Sequence, residues 1–199
     1  MGTTRLVSRR RQDSGAKWAR IAMAVLATAG LIDTGSITLK RWGLLGNLTC
    51  PMGADGCDKV LNSAWGTVFA GIPLSLVGVL AYGAVLLMAL LPLLPGLQEN
   101  KGDLSRRTWW GLFTVSLGMA VFSGVLLGVM LLKIQAFCFF CVLSAALSLT
   151  LFVLSIVGGG WDDFGQLLFR GVLLALAVLL GGLIWASGVD PNRPNAVAS

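Results

Sequence analysis

Residues 137–157 read Phe-Cys-Phe-Phe-Cys-Val-Leu-Ser-Ala-Ala-Leu-Ser-Leu-Thr-Leu-Phe-Val-Leu-Ser-Ile-Val, without a single charge. A stretch of this length matches the ~20 residues an α-helix needs to cross the hydrocarbon core of a bilayer. Working outward, four further stretches are predominantly apolar: Trp18–Leu39, Val68–Leu94, Trp109–Leu132 and Leu167–Trp185. Backbone amides in lipid must be satisfied within the segment, so each stretch is predicted to be a helix. No period-two alternation points to a membrane β-barrel. Hydrophobic residues make up 56% of the 199 and charged residues only 12%, too little polar surface for a soluble domain. The fold class is therefore all-α and integral to the membrane, with five transmembrane helices and the lipid bilayer as a partner. The first apolar stretch is longer than the usual core of a cleaved signal peptide and is read as a retained helix.

Charge distribution sets the expected orientation. The net charge of +6 does not point to nucleic acid, because the basic residues cluster at span ends. Arg5, Arg9, Arg10, Arg11, Lys17 and Arg20 crowd the start of the first span, Lys101, Arg106 and Arg107 separate the second from the third, and Arg170 opens the fifth. With these in the cytoplasm, ten of fifteen basic residues lie inside, which predicts a cytoplasmic N-terminus. All seven tryptophans, at 18, 42, 65, 109, 110, 161 and 185, fall at or beyond span ends, as an interfacial aromatic belt would have them. Residues 1–17 read as a basic cytoplasmic tail, 18–187 as the transmembrane domain, and 188–199 as a linker. Residues 40–67 form an extracytoplasmic loop rich in turn formers, with a short helix expected from Asp58 onward. Gly118, Ser123, Gly124 and Gly128 are small residues of the kind that let membrane helices approach closely.

The chemistry resides in four cysteines. Cys138 and Cys141 form a C-x-x-C at the start of the fourth helix, and Cys50 and Cys57 lie in the loop. The predicted orientation brings all four to the oxidising side, where disulfides persist. A C-x-x-C on a helix sets its thiols one turn apart, and the helix N-terminus favours a thiolate, particularly on the first cysteine. A flexible outer pair and a rigid inner pair fit an electron relay by thiol–disulfide exchange. Two other readings of four cysteines are a non-enzymatic membrane subunit held by two structural disulfides, and a zinc site. The irregular spacing, the apolar setting and the lack of histidine weigh against zinc, so no metal is assigned. With no histidine for haem and no dinucleotide motif, a lipid-soluble quinone is the economical acceptor. Phe137, Phe139 and Phe140 either surround such a ring or face lipid. Asp33, inside the first span, is expected near the outer surface rather than in proton transfer.

The pattern resembles the vitamin K epoxide reductase family, especially its bacterial members. The matching residues are Cys50, Cys57-Asp58, Asn62-Ser63-Ala64-Trp65, Gly71-Ile72-Pro73 and Cys138-Phe139-Phe140-Cys141. The resemblance implies a four-helix bundle around a quinone, with a fifth helix that in bacterial forms often leads to a thioredoxin-like domain. No such domain follows within these residues: either a separate thioredoxin-like redox protein replaces it as the partner, or this is a stand-alone or truncated form. By position, Cys141 faces the quinone as the reactive thiolate, Cys138 is its disulfide partner and exchanges with Cys57, and Cys50 receives electrons from the thioredoxin-like partner. The resemblance thus names Cys141 where the helix dipole favours Cys138. Asn62 and Ser63 fall near the quinone headgroup; capping of a loop helix is the alternative for both. Animal members carry Thr-Tyr-Ala after the motif, where this chain has Ser144-Ala145-Ala146. In DsbB-type proteins, which do the same work, the two cysteine pairs come in the opposite order. The implied activity is thiol–quinone oxidoreduction supporting disulfide formation, in a bacterial plasma membrane or a thylakoid, with the cysteines on the periplasmic or lumenal side. The quinone type (ubiquinone, menaquinone, plastoquinone or phylloquinone) is not encoded in these residues, nor is reduction of an epoxide.

Overall fold

A computed structural model describes residues 2–44, 59–61, 63–67, 72–94, 101–161 and 163–189, with the side chains of residues 2–14 and 101 excepted. Five long helices account for most of them: α1 Gly2–Arg41, α2 Leu74–Leu90, α3 Lys101–Val129, α4 Phe139–Gly158 and α5 Phe164–Gly188. All five contain a segment long and apolar enough to cross a membrane, and the chain is an integral membrane protein.

Helix boundaries follow local chemistry more closely than hydropathy does. α2 begins at Leu74 rather than near Val68, because Pro73 takes an extended N-cap conformation and lacks an N–H to leave unpaired. α3 starts eight residues before Trp109, in a polar turn where Arg107 Nε meets Asp103 Oδ2 at 2.9 Å. It ends in a π-helical turn, Met130–Ile134, after which Gln135 adopts a left-handed conformation (φ 51°). That reversal turns the chain into the extended residues 136–138 and aims Cys138 at the start of α4. In the loop, residues 59–61 are helical and Ala64–Gly66 form a 3-10 turn, which agrees with the short helix expected there.

Helices α1 to α4 close a ring in which α1 packs on α2 and α4, and α3 packs on α2 and α4; α5 lies outside against α3. Met23, Ala27, Tyr82, Val85, Leu112 and Leu151 fill the centre. The large apolar side chains exposed along α5, among them Leu173, Leu180 and Ile184, suit a lipid-facing surface.

Two expectations need correction. A side chain at Gly118, Gly124 or Gly128 would meet nothing, so these are not the points of close approach. Tight contacts occur instead at Gly30, crossed by the Tyr82 ring, at Gly78, beside Thr34, and at Gly111, beside Met88. The tryptophans are not all a belt either. Trp18 and Trp42 are exposed, but Trp109 is buried. Trp110 and Trp161 (ring centroids 4.9 Å apart) pack with Phe113 to pin α3 against the start of α5.

Candidate functional site

At the α4 N-terminus Cys138 is the N-cap residue, with φ −115° and ψ 113°, so the helix begins immediately after it. The Val142 amide donates to the Cys138 carbonyl at 3.2 Å, closing the first turn across the motif. Both cysteines are free thiols; Cys138 is fully buried, packed with Met130, Val60 and Phe140, while Cys141 is partly buried. The Cys138 thiol is held below its ordinary value, chiefly by a hydrogen bond with Cys141, while burial pushes it upward. The Phe140 and Cys141 amides also lower it, although its sulfur completes no geometrically ideal capping bond. The charge of Asp33 adds a smaller upward push.

Cys141 opens onto a cavity of about 180 Å³ bordered by α1 to α4 and by the loop residues Val60, Leu61, Ser63, Trp65 and Gly66. Its walls are largely apolar, with Ile37, Val77, Met119 and Leu126 contributed by three helices. Polar groups enter at a few points only. Tyr82 from α2 passes over Gly30 and places its hydroxyl 2.9 Å from the Ser144 carbonyl and 3.0 Å from Ser144 Oγ, one turn beyond Cys141. Arg41, at the end of α1, donates from Nη1 to the carbonyls of Leu61 (3.0 Å) and Gly66 (3.1 Å), which holds the loop over the cavity mouth. Trp65 Nε1 donates to the Ala186 carbonyl at 3.3 Å and ties the same loop to α5.

The residues singled out in the sequence fall into three groups. Cys138, Cys141 and Ser63 come together at this end of the bundle, with Cys141 and Ser63 lining the cavity. Ser63 Oγ lies 2.6 Å from the Val60 carbonyl, a local contact of the loop-capping kind. Phe137 is half exposed and lies outside the cavity lining, whereas Phe140 is part of it. Cys50, Cys57 and Asn62 lie outside the described residues.

Asp33 requires a correction. Rather than sitting near the surface, it is 8% exposed and lines the cavity with Cys141. The signal lay in helical spacing: Asp33, Ile37 and Arg41 recur every four residues, as do Gly30, Thr34 and Thr38, and together they form one interior face of α1. Tyr82 was also overlooked, though it is the only tyrosine of the chain and stands in an apolar span.

Residues 21–156 match the vitamin K epoxide reductase family. The chain is also similar to the thiol-disulfide oxidoreductase LTO1 of Arabidopsis thaliana, 31% identical over 165 residues. That alignment takes in 79% of this chain but only 40% of the relative, so the chain spans well under half of the longer protein.

Proposed function

Because this chain belongs to the vitamin K epoxide reductase family, we propose that it is a membrane thiol oxidoreductase that carries electrons from a thioredoxin-like protein to a quinone. The observation that supports this most is the C-x-x-C at a helix N-terminus, with Cys141 opening onto a mostly apolar cavity.

The residues present fit such an acceptor. A dry apolar cavity of about 150 Å³ holds a single six-membered ring, and this one is about 180 Å³. Apolar walls would suit the ring and tail, and the Arg41, Tyr82 and Ser144 side chains in the lining would be the polar groups available to its oxygens. A bound quinone contributes the capacity to accept two electrons and two protons. The protein's own residues do the rest. Cys50 takes electrons from the reduced partner by exchange, and Cys57 passes them to the inner pair by attacking Cys138. Cys141 is thereby released as a thiol or thiolate beside the cavity. Cys50 then attacks Cys57 in the mixed disulfide and Cys138 departs, a step that its low thiol basicity favours, since a more acidic thiol departs more readily. The electrons of the inner pair leave as the Cys138–Cys141 disulfide re-forms. In this reading Ser63 and Asn62 flank the quinone headgroup. The four cysteines face the periplasm or lumen, and the membrane is a bacterial plasma membrane or a thylakoid.

The test is quinone reduction by the purified protein with a reduced thioredoxin-like donor, for wild type and single alanine variants at all four cysteines. Loss of turnover with every donor in the Cys138 and Cys141 variants, and loss only with protein donors in the Cys50 and Cys57 variants, is the expected result. Equal turnover by all four variants would make the cysteines structural.

A further inference from the structure

Asp33 lies one helical turn before Ile37 and two before Arg41 on the interior face of α1. It is 8% exposed, and neither carboxyl oxygen has a hydrogen-bond partner among the described residues. Nearly all buried polar atoms in folded proteins are hydrogen-bonded, and a carboxyl left unpartnered in a membrane helix is costly. Its neighbours are adequately served without it. Thr34 Oγ1 donates to the Gly30 carbonyl at 2.7 Å, Thr38 Oγ1 to the Thr34 carbonyl at 2.8 Å, and Tyr82 is engaged by Ser144. Asp33 therefore stabilises nothing visible, yet it faces the cavity that Cys141 faces.

From this placement we propose that Asp33 is the proton-exchanging group of the thiol cavity: it takes a proton from the Cys138–Cys141 pair and delivers it to the electron acceptor. The inference rests on the thiol–quinone reading above. Closure of the Cys138–Cys141 disulfide breaks two S–H bonds, forms one S–S bond, and releases two electrons and two protons. Reduction of a quinone to a quinol consumes both. Asp33, ionised, accepts one thiol proton and so generates the thiolate that reacts. As the electrons leave, it donates that proton to an acceptor oxygen and returns to the carboxylate. The second thiol proton is released to water at the cavity mouth, and an equivalent proton is taken from the same water for the second acceptor oxygen.

Among the described residues, the titratable and charged groups around Asp33 are few. α2 presents Tyr82, the start of α4 presents Cys138 and Cys141, and α1 itself presents Arg41, whose Nη1 is directed at the Leu61 and Gly66 carbonyls. α3 lines the cavity with Met119, Phe122, Ser123 and aliphatic residues, none of them titratable. Asp33 and Cys141 line the same cavity, and Cys138 packs with Cys141 at the start of α4.

The experiment is infrared difference spectroscopy on the full chain in lipid nanodiscs, cycled between dithiothreitol-reduced and diamide-oxidised states, beside turnover with a short-chain quinone. A protonated-carboxyl band is expected in the reduced state, lost on oxidation, and absent from Asp33→Asn. Turnover of Asp33→Asn is expected to fall by about 100-fold or more, and Asp33→Glu, which restores a carboxyl, to recover much of it. Wild-type turnover in Asp33→Asn, or a redox-linked band that survives in it, overturns the proposal. Should Asp33→Asn fail to fold, a wild-type spectrum without the band overturns it equally, and a band displaced in Asp33→Glu upholds it. Diamide cycling needs no quinone, so wild type that reduces no quinone sinks the electron-acceptor reading while the carboxyl band still decides Asp33.

Discussion

The two ends of the bundle each bury one charged side chain of α1, and they treat it in opposite ways. Arg20, 4% exposed, is enclosed by acceptors. Its Nη1 donates to the Met88 carbonyl at 3.2 Å, and its Nη2 to the Ser105 carbonyl (3.1 Å), Ser105 Oγ (3.3 Å) and Thr108 Oγ1 (2.9 Å). Its guanidinium lies 4.5 Å from the centroid of the Trp109 ring. Asp33, about thirteen residues along the same helix, has no hydrogen-bond partner for either oxygen among the described residues. A buried charge whose donors are engaged joins α1, α2 and α3 mechanically. A buried carboxyl left without partners beside a pair of thiols is placed for chemistry rather than for stability.

That contrast is tested most severely at Cys141. Replacement by alanine removes the sulfur that faces the cavity but only a small, partly buried side chain from the packing. Thiol oxidation is expected to be abolished, with unfolding free energy changed by no more than about 1 kcal/mol. Retained turnover together with a large loss of stability would reverse the assignment and make this end structural. A pH titration sharpens the same point. In Cys141→Ala the first cause of the lowered Cys138 thiol is gone, so the midpoint of Cys138 modification by a small thiosulfonate reagent should move to higher pH.

Arg20→Ala is the matching experiment at the other end. Loss of hydrogen bonds to a charged group, and of the contact with Trp109, should cost about 2–3 kcal/mol, measured by chemical unfolding in detergent. Thiol-oxidation turnover per folded molecule should stay at the wild-type level, because nothing in the cavity touches Arg20. Asp33→Asn should move stability the other way, leaving it unchanged or raising it by about 1 kcal/mol, since an amide is cheaper to bury than an unpartnered carboxylate. If both variants lose stability alike, the distinction between the two ends disappears.

The bundle was legible in the sequence because hydropathy reports length and lipid exposure directly, and the five spans follow from it. Positions along the spans were less legible. Hydropathy does not distinguish Asp33 at a surface from Asp33 in a cavity; only the four-residue recurrence with Ile37 and Arg41 does so. It equally marks Gly118, Gly124 and Gly128 of α3 as packing points, although close contacts are made by Gly30, Gly78 and Gly111 instead. Tyr82 was invisible for a related reason. Its role depends on a ring crossing from α2 over α1 to reach α4, a three-helix relation with no trace in local pattern. The cysteine motif was legible because its spacing is itself the geometry.

Tyr82→Phe is the smallest of these perturbations and the most specific. The ring, 1% exposed, would remain over Gly30 and keep its packing, so only the hydroxyl and its contacts with Ser144 are lost. One neutral hydrogen bond is worth about 1 kcal/mol net, and the unfolding free energy should fall by that amount. Phenylalanine leaves no unpaired donor on α2, and the Ser144 hydroxyl can turn to another acceptor. A much larger loss would mean that Tyr82 positions α4, and with it Cys141, rather than bracing a helix that is already fixed. Turnover separates the two cases, because a displaced Cys141 would lose thiol-oxidation rate beyond what the lost stability accounts for. If α4 is held independently by its packing on α1 and α3, rate and stability will fall only slightly and together.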